Sequence, residues 1–311
     1  MTANPFHDLV NVWFDQSDYT ASTKATYRPV LTELATRVED PLSAPTREVA
    51  DFVILDDQGC RRAVSGNTLR RYRTPLAAFY GWAFDRGLVA MDHRLALRDL
   101  VLPCRRVRLG RWLTASEAAQ LLAACDTTPR GVRDRALLST ALLTGLRAAE
   151  LTGLRWGDID FDQGRIRLVG KARKLAEVAI PPQAIHALQA WQQLGETDNT
   201  VGIEAGWPVF CASSYIGGLK GSPKDYRFAR DQPASTALVR SVLGHRARLA
   251  GIGHVAPHDL RRSFAGFLDE KGTDLRTIQL ALRHGSPDTT ARCYLTPNPA
   301  RAFQAVGGLE L

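Results

Sequence analysis

One tyrosine, two histidines and two arginines in this chain have the types and the order that cutting a phosphodiester requires. Tyr294 lies ten residues after His284, in the run Leu282-Arg283-His284-Gly285-Ser286-Pro287-Asp288-Thr289-Thr290-Ala291-Arg292-Cys293-Tyr294. Upstream stand His258-Asp259-Leu260-Arg261-Arg262 and Thr144-Gly145-Leu146-Arg147-Ala148-Ala149-Glu150-Leu151. A phenol can act as a covalent nucleophile. Guanidinium forks match phosphate oxygens, and imidazoles move protons near neutral pH. Each group also has a plainer reading at its own position. Thr144–Arg147 has the form of an ordinary helix-capping turn, His258 suits a cap or a core, and a lone Tyr in an amphipathic helix is usually core. Their joint order along the chain lifts them above those readings.

Local signals say how these residues are positioned. Thr144-Gly145 ends one helix, and the glycine permits the sharp turn into the next. Arg147 then sits at a helix start, where an anion is favourably placed, and Glu150 one turn on can fix it by a salt bridge. Pro257 opens a further helix, with Phe264, Phe267 and Leu268 in phase. His258 and Arg261, three apart, share a face of it and can converge on one phosphate. His254 and His258 have the four-residue spacing of a metal pair, but Pro257 interrupts a continuous helix and no carboxylate or cysteine completes the set. No metal and no other cofactor is expected. Ser286-Pro287-Asp288 is a helix start, which places Tyr294 about two turns into that helix. His284 ends the helix before it.

The rest of the chain is mostly helical in pattern. Thr23–Val38 carries Tyr27, Val30, Leu31, Leu34 and Val38 at helical spacing. Thr68–Arg86 carries an apolar stripe through Leu69, Tyr72, Leu76, Phe79, Tyr80 and Ala83, with Arg70, Arg71 and Arg73 off it, and Gly87 as its stop. Those arginines make either a solvated face or a set of phosphate contacts. Residues 98–110 read as a basic linker with Arg98, Arg105, Arg106 and Arg108. Thr114-Ala-Ser-Glu117 is a capping box that opens the next unit. Arg133–Leu143 reads as a buried helix. Ile159–Phe161, Arg165–Val169 and Val178–Ile180 read as short strands, turned at Asp162-Gln163-Gly164 and at Gly170-Lys171-Ala172-Arg173-Lys174. Pro182–Leu194 returns to helix. Gly195–Pro233 reads as a long irregular insertion with Lys220, Lys224, Arg227 and Arg230.

Composition sets the outer limits. At 311 residues the chain suits two domains. A net charge of +8, dominated by arginine, is the footprint of a polyanion partner. The five cysteines (Cys60, Cys104, Cys125, Cys211 and Cys293) are scattered without a C-x-x-C pair. That fits neither a disulfide framework nor a zinc site, and it fits a reducing cytosol. No secretory signal or transmembrane-length apolar run is seen, so a cytoplasmic protein with no membrane partner is expected.

With these boxes in register, the chain resembles the tyrosine recombinases of the phage integrase family. Thr144–Leu151 is similar to that family's first-arginine box, and Gly170–Lys174 to its β-hairpin lysine box. His258–Arg262 is similar to the His-x-x-Arg box, and Leu282–His284 with Tyr294 to the last one. The helices around Tyr27 and Tyr72 resemble its core-binding domain. Three positions and one insertion depart from the family pattern. Arg283 stands where glycine usually precedes the histidine, Ala172 replaces a second glycine, Ala149 a frequent serine, and the 195–233 insertion is long.

The resemblance implies a mainly α, multihelical fold. Residues 1–97 would form a helical core-binding domain and 98–110 the linker. Residues 111–311 would form a mixed α+β catalytic domain with a small antiparallel three-stranded sheet. It also implies site-specific DNA recombination through a 3′-phosphotyrosyl bond. In that scheme Tyr294 is nucleophile, Arg147 and Arg261 are phosphate ligands, and His258 is proton acceptor. Lys171 is general acid for the leaving oxygen, His284 a positioning donor and Glu150 a support. Arg70, Arg71, Arg73, Arg105, Arg106 and Arg108 are DNA-binding candidates. The implied partner is double-stranded DNA held by a homotetramer on paired sites, with a second recombinase or directionality factor as a further partner. The tail through Ala302, Phe303 and Val306 would dock on a neighbour or on its own domain. A type IB topoisomerase and a catalytically silent DNA-binding regulator are the competing readings. The departures favour a mobile-element integrase over a resolver of replicon dimers.

Overall fold

Hydroxyl and carboxylate caps set where the helices begin. In the computed structural model, which describes residues 5–103, 111–169, 175–198, 204–215 and 226–283, such caps open five of the helices. The Thr20 hydroxyl accepts from the Thr23 N–H at 3.2 Å, and Ser65 from Thr68 at 3.2 Å. Thr114 and Glu117 complete the capping box read from the sequence. Contacts divide the chain into two units, Met1–Arg106 and Val107–Leu311.

The first unit contains α1 (Pro5–Gln16), α2 (Ala21–Arg37), α3 (Thr46–Ile54), α4 (Gly66–Phe84) and α5 (Arg94–Asp99). Its core is aromatic: Phe6 and Trp13 meet Phe79 edge-on at 5.2 and 5.6 Å, and Trp13 stacks on Tyr27 at 6.2 Å. Helices α2 and α4 each begin two residues before the starts expected from the sequence, Thr23 and Thr68, because the hydroxyl caps Thr20 and Ser65 lie further upstream. Gly66 has no β-carbon for a physical reason, since one there would lie 2.2 Å from the Pro103 carbonyl oxygen.

The second unit is built on α7 (Pro129–Thr144), which follows α6 (Ala115–Ala123) and buries residues on nearly every side. It starts four residues before the Arg133 boundary expected from the sequence, because Thr128 caps it and Pro129 suits the first position. The helix α8 (Ala148–Gly153) leads to a sheet of β1 (Ile159–Asp160), β2 (Arg165–Val169) and β3 (Leu175–Ala179). This is the expected three-stranded antiparallel sheet, in the order β1-β2-β3. The pairs Val169–Leu175 and Arg165–Ala179 fix the β2–β3 register, so the two strand ends bracket the lysine box. Its Lys171 lies outside the described residues.

The reading of Gly195–Pro233 as an irregular insertion is overturned. Helix α9 (Pro182–Asp198) extends into it, and β4 (Cys211–Tyr215) and β5 (Tyr226–Pro233) pair antiparallel, with a bulge between Cys211 and Ala212. The pair is tied down by contacts remote in sequence. The Trp191 indole donates to the Val209 carbonyl at 2.8 Å and meets Phe228 edge-on at 5.4 Å. Arg133 donates to the Ser213 hydroxyl at 3.0 Å. Of the basic residues read there, Lys220 and Lys224 lie outside the described residues, and Arg227 and Arg230 fall on β5.

Three helices complete the unit: α10 (Thr236–Leu249), α11 (Pro257–Glu270) and α12 (Leu275–Leu282). A buried ion network joins α10 to α7. Asp134 takes Arg133 at 2.7 Å and Arg246 at 2.9 Å, and Arg246 reaches on to Asp126 at 3.1 Å. Two cations share one fully buried carboxylate here, an arrangement that fixes geometry more than it adds net stability. Among the described residues, no helix is long and apolar enough to cross a membrane.

Candidate active site

Three segments of the second unit meet where the chemistry was expected: the α7–α8 turn, the start of α11 and the end of α12. The turn is forced by Gly145, whose φ of 61° and ψ of 24° are left-handed. A β-carbon there would also lie 2.5 Å from the Phe264 ring of α11, so this position excludes other residues twice over. Arg147 follows as the residue capping α8. Its own N–H donates to Glu150 at 2.8 Å and its guanidinium to the same carboxylate at 2.7 Å. The salt bridge read from the sequence is therefore present. Arg147 remains half exposed, with 48% of its side chain open to solvent.

At the start of α11, Asp259 accepts from the Ala256 N–H at 2.9 Å and from Arg262 at 2.8 Å. The Ser263 hydroxyl takes the Leu113 N–H at 2.8 Å, and Arg111 donates to the His254 carbonyl at 3.0 Å. This framing leaves His258 exposed at the surface. Partial desolvation, then the Arg262 and Arg261 guanidiniums, push its imidazole below the ordinary value of 6.5. Asp259 opposes them, and Arg147 adds to them, which places the first arginine within electrostatic reach of His258.

Arg261 does not share that exposed face. It is 1% exposed, and its two terminal nitrogens donate to the Gly145 and Leu282 carbonyls. Spacing alone put His258 and Arg261 side by side toward one phosphate. In the structure His258 faces solvent, while Arg261 buckles the turn before Arg147 to the end of α12. A guanidinium has five donors, so bracing two carbonyls does not by itself exhaust it.

The end of α12 carries a residue that the sequence flagged only as a departure. Arg283 has φ 54° and ψ 46°, the left-handed region, and is the sole non-glycine residue with positive φ among those described. A side chain there costs about 1–2 kcal/mol. Its guanidinium donates to Glu150 at 2.7 Å. Glu150 is thus shared by two arginines. Burial alone would raise its carboxyl, but the Arg147 N–H and the Arg283 and Arg147 guanidiniums outweigh this and hold it below 4.5.

The other expected site residues are placed as follows. His284, Tyr294 and Lys171 lie outside the described residues, as do Arg105, Arg106 and Arg108 and the tail with Ala302, Phe303 and Val306. In the first unit, Arg71 is exposed. Arg70 and Arg73 donate to the Pro103 and Arg98 carbonyls at 3.2 and 3.3 Å, so they hold the chain leaving that unit.

Comparison with known proteins places this geometry in a family. The Phage integrase family matches residues 111–301. A tyrosine recombinase XerC of Xylella fastidiosa (strain 9a5c) is 35% identical over 231 residues, spanning 74% of this chain and 70% of that protein. Among solved structures, the XerH site-specific recombinase bound to a palindromic difH substrate superposes with a TM-score of 0.70 at 20% identity, over 98% of this chain and 85% of that one. The Tn1549 transposon integrase in complex with a circular intermediate DNA gives 0.70 at 14% identity, over 97% and 98%. At those identities the structural likeness speaks for the fold.

Proposed function

This chain belongs to the phage integrase family, and from that premise we propose that it is a site-specific DNA recombinase whose Tyr294 forms a 3′-phosphotyrosyl bond. The observation that carries the reading is the convergence just described. Arg147 stands on a preformed turn within electrostatic reach of a surface histidine, and Arg261 locks that turn to the segment leading into His284.

The chemistry follows from the groups. Tyr294 attacks the scissile phosphorus, the bond to the deoxyribose 5′-oxygen breaks, and the phosphate stays joined to the phenol. A free tyrosine has a pKa of about 10 and needs a proton acceptor at neutral pH. His258, held neutral, takes that proton. Arg147 and Arg261 bind the non-bridging oxygens and stabilise the charge that grows on them. Lys171 protonates the leaving 5′-oxygen and His284 orients the phosphate. Attack by a 5′-hydroxyl of a second strand reverses the step. The energy of the bond is kept throughout, so no nucleotide triphosphate is consumed. Double-stranded DNA is the partner, and four protomers act on two sites.

The state of His258 sets a pH dependence. An acceptor works unprotonated, and a value below 6.5 keeps the imidazole neutral at pH 7. Cleavage by the free protein, followed as adduct formation at sub-saturating DNA, should fall on the acid side with its midpoint below pH 6.5. Stability has the same sign. The unfolded chain takes up this proton at a higher pH than the folded one, so the contribution of His258 is lost as pH falls below 6.5. A midpoint above that value contradicts the assignment.

The test is to trap covalent complexes on a pool of nicked duplexes covering the source replicon, then sequence the attached DNA. The nick lets the cleaved fragment diffuse away, so the adduct accumulates. Adducts at one sequence support a recombinase and name its core site. A site at the ends of a mobile element assigns integration and excision, whereas one in a chromosome or plasmid assigns dimer resolution. Scattered adducts point to a topoisomerase, and salt-sensitive binding without adducts to a silent DNA-binding protein.

A further inference from the structure

The left-handed arginine at the end of α12 has a role that neither its helix nor the boxes explain. Nothing in capping α12 calls for a long side chain at Arg283, and its backbone conformation is one that side chains avoid. Such a conformation persists where surrounding contacts over-determine it. Here those contacts are specific. One terminal nitrogen reaches the Glu150 carboxylate at 2.7 Å, the other the Ala281 carbonyl at 3.2 Å, and 15% of the side chain is exposed. The same carboxylate holds Arg147 through its N–H at 2.8 Å and its guanidinium at 2.7 Å. Glu150 is therefore a joint between the first-arginine turn and the residue immediately before His284.

We propose that Arg283 is a positioning residue for strand cleavage: through Glu150 it locks the orientation of Arg147 to the end of α12, from which the His284–Tyr294 segment departs. This rests on the reading of Arg147 as a phosphate ligand. An arginine oriented by one partially exposed carboxylate swings through several rotamers. Arg283 donates to Oε2, which also takes the Arg147 N–H, while Oε1 takes the Arg147 guanidinium, so the carboxylate is held from both segments and Arg147 meets the phosphate in one geometry.

Glycine separates positioning from mere structure, because Arg283→Gly relieves the backbone while deleting the ion pair. In the full-length protein, its thermal midpoint should equal or exceed that of the parent. Its affinity for the core-site duplex should be unchanged, while the single-turnover cleavage rate at saturating protein falls about tenfold. Arg283→Lys, which keeps a charge beside Glu150, should recover part of that rate. In a Glu150→Gln background, Arg283→Gly should cause little further loss, since the joint is already broken. Cleavage by Arg283→Gly at the parental rate overturns the proposal. So does a rate loss that tracks a fall in thermal midpoint, or one that multiplies in full with Glu150→Gln. If the parent protein itself forms no adduct on DNA that it binds, the recombinase reading has failed, and this proposal with it.

Discussion

Arg261→Ala is expected to leave no measurable strand cleavage and to lower the thermal midpoint of the Val107–Leu311 unit by roughly 10 °C. The stability loss comes from the bracing role. The guanidinium is 1% exposed and donates to the Gly145 and Leu282 carbonyls. Alanine leaves both acceptors buried without that donor and opens a cavity beside them, a cost on the order of 3 kcal/mol. In a unit of this size each kcal/mol moves the midpoint by about 2–4 °C. The activity loss is larger than one phosphate contact explains, because both segments that Arg261 joins carry other reacting groups. Arg261→Lys keeps the charge but reaches one carbonyl at most, so it should regain some stability without cleavage. Calorimetry with adduct formation checks both halves. Normal unfolding would contradict the brace, and surviving cleavage would contradict the phosphate contact.

Arg147→Ala should behave oppositely in stability. Cleavage at saturating protein falls by about 100- to 1000-fold, the usual loss for one preorganised donor at a developing negative charge. The unfolding transition stays close to that of the parent. Arg147 is 48% exposed, its ion pair with Glu150 spans one turn of helix, and such pairs contribute less than about 1 kcal/mol. Glu150 also keeps Arg283 when Arg147 is removed. Arg147→Lys retains the charge without the planar fork, and its rate should lie between the two. A variant that cleaves normally would remove Arg147 from the mechanism, and one that unfolds early would make it structural.

What the sequence disclosed, it disclosed through local rules. The Thr114–Glu117 box, the Gly145 turn, the Arg147–Glu150 pair and the β2 strand all follow from interactions within a few residues, and all stand in the structure. What it hid depends on distant partners. The β4–β5 pair reads as a polar, turn-rich stretch until Trp191, Arg133 and Phe228 are seen holding it. Its length therefore gives no independent sign of a mobile-element origin. The buried Arg133–Asp134–Arg246 network spans more than a hundred positions and leaves no periodic trace. The bracing of the Gly145 and Leu282 carbonyls by Arg261 is equally hidden, because spacing reports a shared face and not which carbonyls will claim a side chain. For Arg283 a signal was available. A long side chain where a turn favours glycine calls for a compensating contact, and Glu150 supplies it.

The most direct test of catalysis by Tyr294 is a peptide map of the trapped protein–DNA adduct. Trypsin should release Cys293–Arg301 carrying the residual nucleotide through the Tyr294 phenol. The displaced strand should end in a free 5′-hydroxyl, and Tyr294→Phe should bind the same duplex without forming the adduct. A nucleotide attached to any other residue, a 5′-phosphoryl linkage, or adducts that persist in Tyr294→Phe would contradict it.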